Sequence, residues 1–415
     1  MPSVRLPDAI APLREREFRL LFSGQAVSLI GDNLAPIALA FAILDAGGSA
    51  TDVGLVYSSN IIARLAFILV GGVMADRLSR HRVMLAADAL RAVSSGVLAF
   101  AVMAGDAPLG LYIAMVAAHG IGAAFFDPAS TGLVPQTVSA PLLQNANALL
   151  GIAHSAGSVL GPAAGGAVIA LAGPGAALAT DAGTFVISAC ALLAMHPPDH
   201  DRGGAKSGFV AELAEGWSEF RARTWVWVIV LQYAVWHMLV LGPFMVLGAV
   251  VSRDSLGGAG AWAIILAASG LGELGGGLLA LRLRPRWPLR AATWAGLLWT
   301  PQVALLALEA PAWLIAVTAF VAGAGMSFVV VVWNTALHEH IPARSLARVS
   351  SYDWAGTLVF LPVGFVLAGP AAAALSASTV LWLGVVWSLA AAAVVLAVPS
   401  VRAMRRVDYS LSSGA

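Results

Sequence analysis

Apolar residues run along this chain in long stretches broken by short polar connections. A helix needs about 20 apolar residues to cross a bilayer. Stretches of that kind fall near residues 18–44, 51–75, 82–104, 109–131, 144–172, 175–195, 224–251, 259–281, 288–309, 312–337, 347–370 and 376–399. The pattern predicts an all-α integral membrane protein of twelve transmembrane helices.

The polar connections are sorted by charge. The even-numbered ones carry Arg77, Arg80 and Arg82; Arg202, Lys206, Arg221 and Arg223; Arg282, Arg284, Arg286 and Arg290; and Arg344. Arg348 stands where the eleventh span begins, and the two ends hold Arg5, Arg14, Arg16, Arg402, Arg405 and Arg406. The odd-numbered connections hold Arg253 alone. Basic residues collect in cytoplasmic loops, so both termini are expected on the cytoplasmic side. A soluble helical protein has no reason to order its arginines in this way. The stretch from Met1 to Glu17 leads straight into an apolar helix without a small-residue cleavage site, and reads as the approach to an uncleaved span.

Composition agrees. Hydrophobic residues make up 59% and charged residues 11% of 415, where a soluble domain carries about 25% charged. The single cysteine, Cys190, excludes an internal disulfide and leaves no thiolate metal cluster to expect. Neither a metal site nor a cofactor is expected, and nothing in the sequence suggests nucleic-acid binding.

Gly71-Gly72-Val73-Met74-Ala75-Asp76-Arg77-Leu78, ending the second span, aligns without gaps on Gly276-Gly277-Leu278-Leu279-Ala280-Leu281-Arg282-Leu283, ending the eighth. Gly120 to Phe125 aligns on Gly323 to Phe328, and Pro162 on Pro362. One offset of about 200 residues relates all three, which predicts two pseudo-symmetric six-helix bundles. We expect an N-terminal bundle over 1–195, a linker over 196–223, a C-terminal bundle over 224–402 and a tail over 403–415. Within the linker, Phe209, Leu213, Trp217 and Phe220 recur at helical spacing, with Glu212, Glu215 and Glu219 elsewhere, as in an amphipathic helix on the membrane surface.

These stretches resemble the major facilitator superfamily, and within it the branch of bacterial siderophore and macrolide exporters. Phe18-Arg19-Leu20-Leu21-Phe22-Ser23-Gly24-Gln25 through Gly31-Asp32 is similar to that branch's first span. Gly72, Asp76, Arg77, Arg80, His81 and Arg82 match the superfamily's signature loop between spans two and three. Gly161, Pro162, Gly165 and Gly166, with Gly157 upstream, match the fifth-span motif associated with antiporters, and Ser350 to Pro362 resembles the branch's eleventh span. One departure is Val116-Ala117-Ala118-His119-Gly120, where many proton-coupled antiporters have an intramembrane arginine. The resemblance implies a secondary transporter whose halves rock about a midplane substrate site. It implies a bacterial cytoplasmic membrane, a monomer, and partners limited to lipid, a small-molecule substrate and protons.

The loop motif can act as a cytoplasmic gate. Asp76 suits the amino end of span eleven, where free N–H groups and the helix dipole favour an anion. Arg77 and Arg80 can pair with Asp127 at the cytoplasmic end of span four; the alternative is that they only set topology. The glycines of span five permit backbone-distance approach of another helix, and Pro162 removes a donor and bends the span.

Charges within membrane spans are costly and point to function. Asp32 and Arg64 lie at similar depth, taken at about 1.5 Å per residue, and are expected to face the cavity and pair. Such a pair is either permanent or released on proton or substrate binding. Glu273 can carry a proton, recognise a cation, or simply hydrogen-bond between helices. His237 can relay protons or pack as a satisfied histidine; His119 and His154 read as packed. Asp181 and Asp353 read as structural, and Asp88 and Arg91 as an i, i+3 pair. Trp225, Trp227, Trp262, Trp287 and Trp313 read as interfacial anchors, and Trp236, Trp294, Trp299 and Trp333 as deeper residues lining a cavity or the core.

The function expected is proton-coupled export of a small, moderately apolar molecule such as a drug or siderophore. The alternatives are an importer or uniporter on the same fold, or a transport-dead membrane sensor. An enzyme or ATP-driven pump is not expected: the one lysine, Lys206, follows Ala205, so the Gly-Lys-Ser/Thr of a P-loop is missing, and no HExxH or GxSxG occurs. No residue is therefore proposed as catalytic.

Overall fold

The computed structural model describes residues 10–196 and 217–406, with the side chains at 76, 281, 343, 344 and 347 excepted. The expected gate contact of Asp76, the linker positions Phe209, Glu212, Leu213 and Glu215, and the tail from 407 onward lie outside this description.

Helices occupy the predicted stretches. They are α1 (Arg16–Asp45), α2 (Ala50–Arg77), α3 (Arg80–Ala104), α4 (Leu109–Thr137), α5 (143–172), α6 (174–193), α7 (Thr224–Leu256), α8 (Ala259–Arg282), α9 (288–307), α10 (Ala312–His340), α11 (343–375) and α12 (Ala377–Ala397). Among the described residues, ten stretches are long and apolar enough to cross a bilayer as continuous helices. The difference from the expected twelve has two local causes. Helices α5 and α6 run together, divided only by Gly173, whose φ of 82° lets the chain reverse before Pro174. Helix α9 is interrupted by a 3-10 turn at Leu297–Trp299, which shortens each of its pieces.

Local chemistry sets other boundaries. Ser49 and Asp52 form a reciprocal capping box that starts α2, with Asp52 Oδ2 accepting from the Ser49 amide at 2.8 Å. Gly105, at φ 73°, ends α3. Helix α7 contains two π-helical turns, His237–Leu241 and Ser252–Leu256. Helix α11 breaks at Val359–Phe360 ahead of Pro362, whereas α5 runs through Pro162 with helical geometry.

The chain divides into two compact units, one of 1–204 with Ser252–Ala267, the other of 205–251 with 268–415. In the first, α2 packs on α4 with Gly71 against the carbonyl of Ala124 and Gly120 against that of Asn60. In the second, α8 packs on α10 with Gly276 against the carbonyl of Ala324 and Gly323 against that of Ser269. At each position a Cβ would overlap the facing backbone. The glycines that revealed the repeat are thus the places where backbones touch, which small residues permit in lipid-embedded bundles.

Basic connections gather at one end within each unit. In the first, Arg16 donates to Ala194 O at 2.8 Å, His81 bonds Leu192 O at 2.5 Å, and Glu15 accepts from Ser139 Oγ at 2.9 Å. In the second, Arg290 donates to Arg402 O at 2.6 Å and Arg406 lies 3.7 Å from Glu339. Carbonyls at helix C-termini lack intrahelical partners, so guanidinium groups and the histidine ring satisfy them there. Of the linker's apolar positions, Trp217 and Phe220 are described; they meet Tyr352 of α11 with ring centroids 5.6 and 5.9 Å away.

The tryptophan expectations are corrected in part. Trp227 and Trp313 are exposed as interfacial anchors should be, but Trp262 is fully buried and Trp225 nearly so, as core residues. Trp236 and Trp299 pack edge to face at 5.0 Å inside the second unit, and Trp294 lies exposed.

Candidate functional site

The first unit concentrates ionisable side chains at mid-span. Arg91 of α3 is the hub. Its side chain is 3% exposed, and it bonds Asp88 one turn away, which is fully buried. Its other terminal nitrogen lies 3.6 Å from Asp32 of α1. The guanidinium is held between two aromatic faces, 4.2 Å from the ring centre of Phe126 and 4.4 Å from that of Phe185. Those faces contribute cation–π attraction and fix the plane of the fork. Gly122 of α4 leaves the space, since a Cβ there would sit 2.7 Å from Arg91 Cγ. Sequence reading found the Asp88–Arg91 pair but not its central place. The signal available was an arginine in the middle of a span.

Asp32 is 31% exposed, and its second oxygen lies 3.6 Å from His119 Nε2 of α4. The expected pairing of Asp32 with Arg64 is replaced: Arg64 Nη2 of α2 reaches Asp127 Oδ2 at 2.5 Å. That contact also displaces the expected pairing of Asp127 with Arg77 or Arg80. Arg80 instead donates to Gly132 O of α4 at 2.7 Å, its guanidinium lying over the glycine. It still ties the α2–α3 loop to α4, through a carbonyl rather than a carboxylate. Arg77 and Arg82 are surface side chains, and a Cβ on Gly72 would meet nothing within 4 Å. The close approach on α2 belongs to Gly71.

Backbone contacts position Asp32 from two sides. On one, Gly157, Gly161 and Gly165 of α5 receive Leu29, Ile30, Asn33 and Leu34 of α1; a Cβ on Gly161 would lie 2.5 Å from Asn33 Cβ and 2.8 Å from Ile30 O. Gly166 turns elsewhere, toward Ala263 of α8, and Pro162 is buried within α5. On the other side, Gly31 faces α6, where a Cβ would lie 2.6 Å from Asp181 Oδ1. The fifth-span glycines are therefore the seat on which the Asp32 turn of α1 rests.

The offset of 205 residues that carries Gly71 to Gly276 carries Asp32 to His237. His237 opens the first π-helical turn of α7 and its ring nitrogen bonds Tyr233 O at 2.7 Å. Its own carbonyl abuts Gly364 of α11, where a Cβ would lie 3.0 Å away. Glu273 of α8 is half-buried, and among the described residues no cation lies within 4.0 Å of its carboxyl. Asp353 of α11 accepts from the Trp333 indole at 2.9 Å and anchors α10 to α11. Among the described residues, no group of three His, Cys, Asp or Glu is disposed to hold a metal ion.

A sequence-family model described as Major Facilitator Superfamily matches residues 21–360. The chain is 26% identical over 362 residues to the multidrug efflux pump Tap of Mycolicibacterium fortuitum, covering 82% of this chain and 86% of that protein. Macrolide efflux protein A of Streptococcus pyogenes is 24% identical over 247 residues, 58% of this chain and 60% of that one. Among solved structures, nucleoside transporter NupG superposes with a TM-score of 0.70 at 15% identity, over 92% of this chain and 98% of its own. A bacterial homologue of the human lysosomal transporter Spinster gives 0.72 at 16%, over 96% and 99%. At those identities the likeness to solved structures is one of fold.

Proposed function

Because the chain belongs to the Major Facilitator Superfamily, as a multi-pass membrane transporter and not an enzyme, we propose that it exports a small, moderately apolar molecule in exchange for protons. The supporting observation is the buried cluster around Asp32 in a chain whose relative Tap, matched over 86% of its length, is a multidrug efflux pump. An export pump needs an intramembrane acid that can change charge during the cycle, and Asp32 is open enough to be reached yet seated between Arg91 and His119. When Asp32 takes a proton, its hold on Arg91 weakens while Asp88 keeps the guanidinium in place. Arg64 with Asp127, Glu273 and His237 are further coupling or substrate candidates, and the gate is formed by Gly72, Asp76, Arg77, Arg80 and Arg82. The bundles over 1–195 and 224–402 rock about the substrate, the chain acts as a monomer, and it lies in the bacterial cytoplasmic membrane with both termini inside. The arginine-rich even connections support that orientation.

The driving force suffices. One proton crossing 100 mV releases about 2.3 kcal/mol, which sustains a roughly 50-fold gradient of a neutral substrate. Everted vesicles from a pump-deficient host carrying the protein test the proposal. Adding erythromycin or another drug substrate to acid-loaded vesicles should release lumenal protons and accumulate drug. Uptake driven in the opposite sense would identify an importer, flux indifferent to ΔpH a uniporter, and a ligand-induced thermal shift without flux a sensor.

A further inference from the structure

The three mid-span carboxyls around Arg91 are not equivalent. Asp88 bonds Arg91 directly, and Asp32 has Arg91 and His119 at 3.6 Å. Arg64 is committed to Asp127. That leaves Asp181 of α6, fully buried, with Ser95 Oγ 2.8 Å from its Oδ2 and no cation within 4.0 Å among the described residues. Its Oδ1 is buried without a hydrogen-bond partner and faces Gly31 of α1, where a Cβ would lie 2.6 Å from it and 2.2 Å from Thr184 Oγ1. Asp32 of α1 and Arg91 of α3 act on this carboxyl electrostatically. Asp88 of α3 and His119 of α4 lie on the other packed elements, His119 stacking edge-on against Phe185 of α6 at 5.3 Å. Arg64 of α2 and His154 of α5 act on Asp32 from farther away. With all three carboxyls ionised, Asp32, Asp88 and Asp181 carry three negative charges against the one positive charge of Arg91. A low-dielectric region does not hold that excess uncompensated.

We propose that Asp181 is a proton-binding carboxyl of the N-terminal bundle and exchanges its proton with Asp32 past Gly31, where the Thr184 hydroxyl and Asp181 Oδ1 close on α1. The site deepens the reading of proton-coupled export and rests on it. In one direction Asp32 loses its proton and regains a full ionic attraction to Arg91, while Asp181 gains the proton and becomes neutral. The reverse transfer restores the first state, so one proton moves and total charge is unchanged. Ser95 can hydrogen-bond either form, and Gly31 permits the approach because a side chain there would collide with Asp181 Oδ1 and Thr184.

Infrared difference spectroscopy of the purified full chain in liposomes, stepping pH with no substrate present, tests the site directly. The wild type should show the carbonyl-stretch band of a buried protonated carboxyl that fades as pH rises. Asp181→Asn should abolish that band, while Asp127→Asn leaves it. Should Asp181→Asn fold poorly, Ser95→Ala serves, since losing the hydrogen bond should shift the band's frequency. A band that persists in Asp181→Asn or ignores Ser95→Ala overturns the assignment, as does a wild type with no such band. The vesicle assay separates this from the parent reading. If the band belongs to Asp181 but erythromycin moves no protons and no drug accumulates, export coupling fails and the proton site stands. If proton-driven drug flux is present and unaltered in Asp181→Asn, coupled export stands and this site falls.

Discussion

Gly161 offers the sharpest check on how the structure positions Asp32. Replacing it with alanine puts a methyl carbon 2.5 Å from Asn33 Cβ and 2.8 Å from Ile30 O. Carbon atoms pack at about 3.5–4.0 Å, so α1 and α5 must part by roughly 1 Å. Overpacking of this kind costs about 1–3 kcal/mol. The substitution also brings a helix-propensity gain of about 1 kcal/mol, because glycine disfavours helix relative to alanine. Gly151, on the same helix, is the internal control, since a Cβ there meets nothing within 4 Å and Gly151→Ala receives the gain alone. Thermal unfolding in detergent should place Gly161→Ala several degrees below Gly151→Ala, with the latter at or above the parent. Proton-driven efflux should fall in Gly161→Ala because Asp32 is carried away from Arg91. Should Gly161→Ala melt with or above Gly151→Ala, the close seating of α1 on α5 is refuted.

Other outcomes follow from the same geometry. Arg91→Ala strands a buried Asp88 and should destabilise by about 3–5 kcal/mol, seen as a large drop in melting temperature that Asp88→Asn in the same chain partly reverses. A double-mutant cycle on Arg64 and Asp127, whose side chains are 33% and 41% exposed, should give a coupling no larger than about 1 kcal/mol. Trp333→Phe should cost about 1 kcal/mol by removing the donor to Asp353, and Asp353→Ala should add little further loss. Gly71→Ala and Gly276→Ala should lower the melting temperature by similar amounts, because each meets the carbonyl of a facing helix, whereas Gly72→Ala should not.

The legible part of this protein is its arrangement along the membrane normal. Span positions follow from the length of apolar runs, and observed ends differ from the expected ones by a few residues, most at the C-terminal end of α4. Internal symmetry was readable because the same close helix contact demands glycine twice, at Gly71 and Gly276 and again at Gly120 and Gly323. The presence of mid-span charges was equally plain, as was the pair Asp88–Arg91, which one helical turn brings together whatever the tertiary structure.

What the amino-acid order alone determined, then, is how deep each residue lies, since a helix advances by a constant rise and lipid tolerates no other long element. Which way each residue faces around its helix was decided only by packing. Asp32 and Arg64 were placed at the same depth, yet Arg64 turns to Asp127 and Asp32 to Arg91 and His119. The rotation that separates them is set where Gly157, Gly161 and Gly165 receive α1 and where Gly71 and Gly120 lock α2 to α4. Those contacts join residues far apart in the chain, and rotation about a helix axis leaves no periodic trace in a span that is apolar on every side.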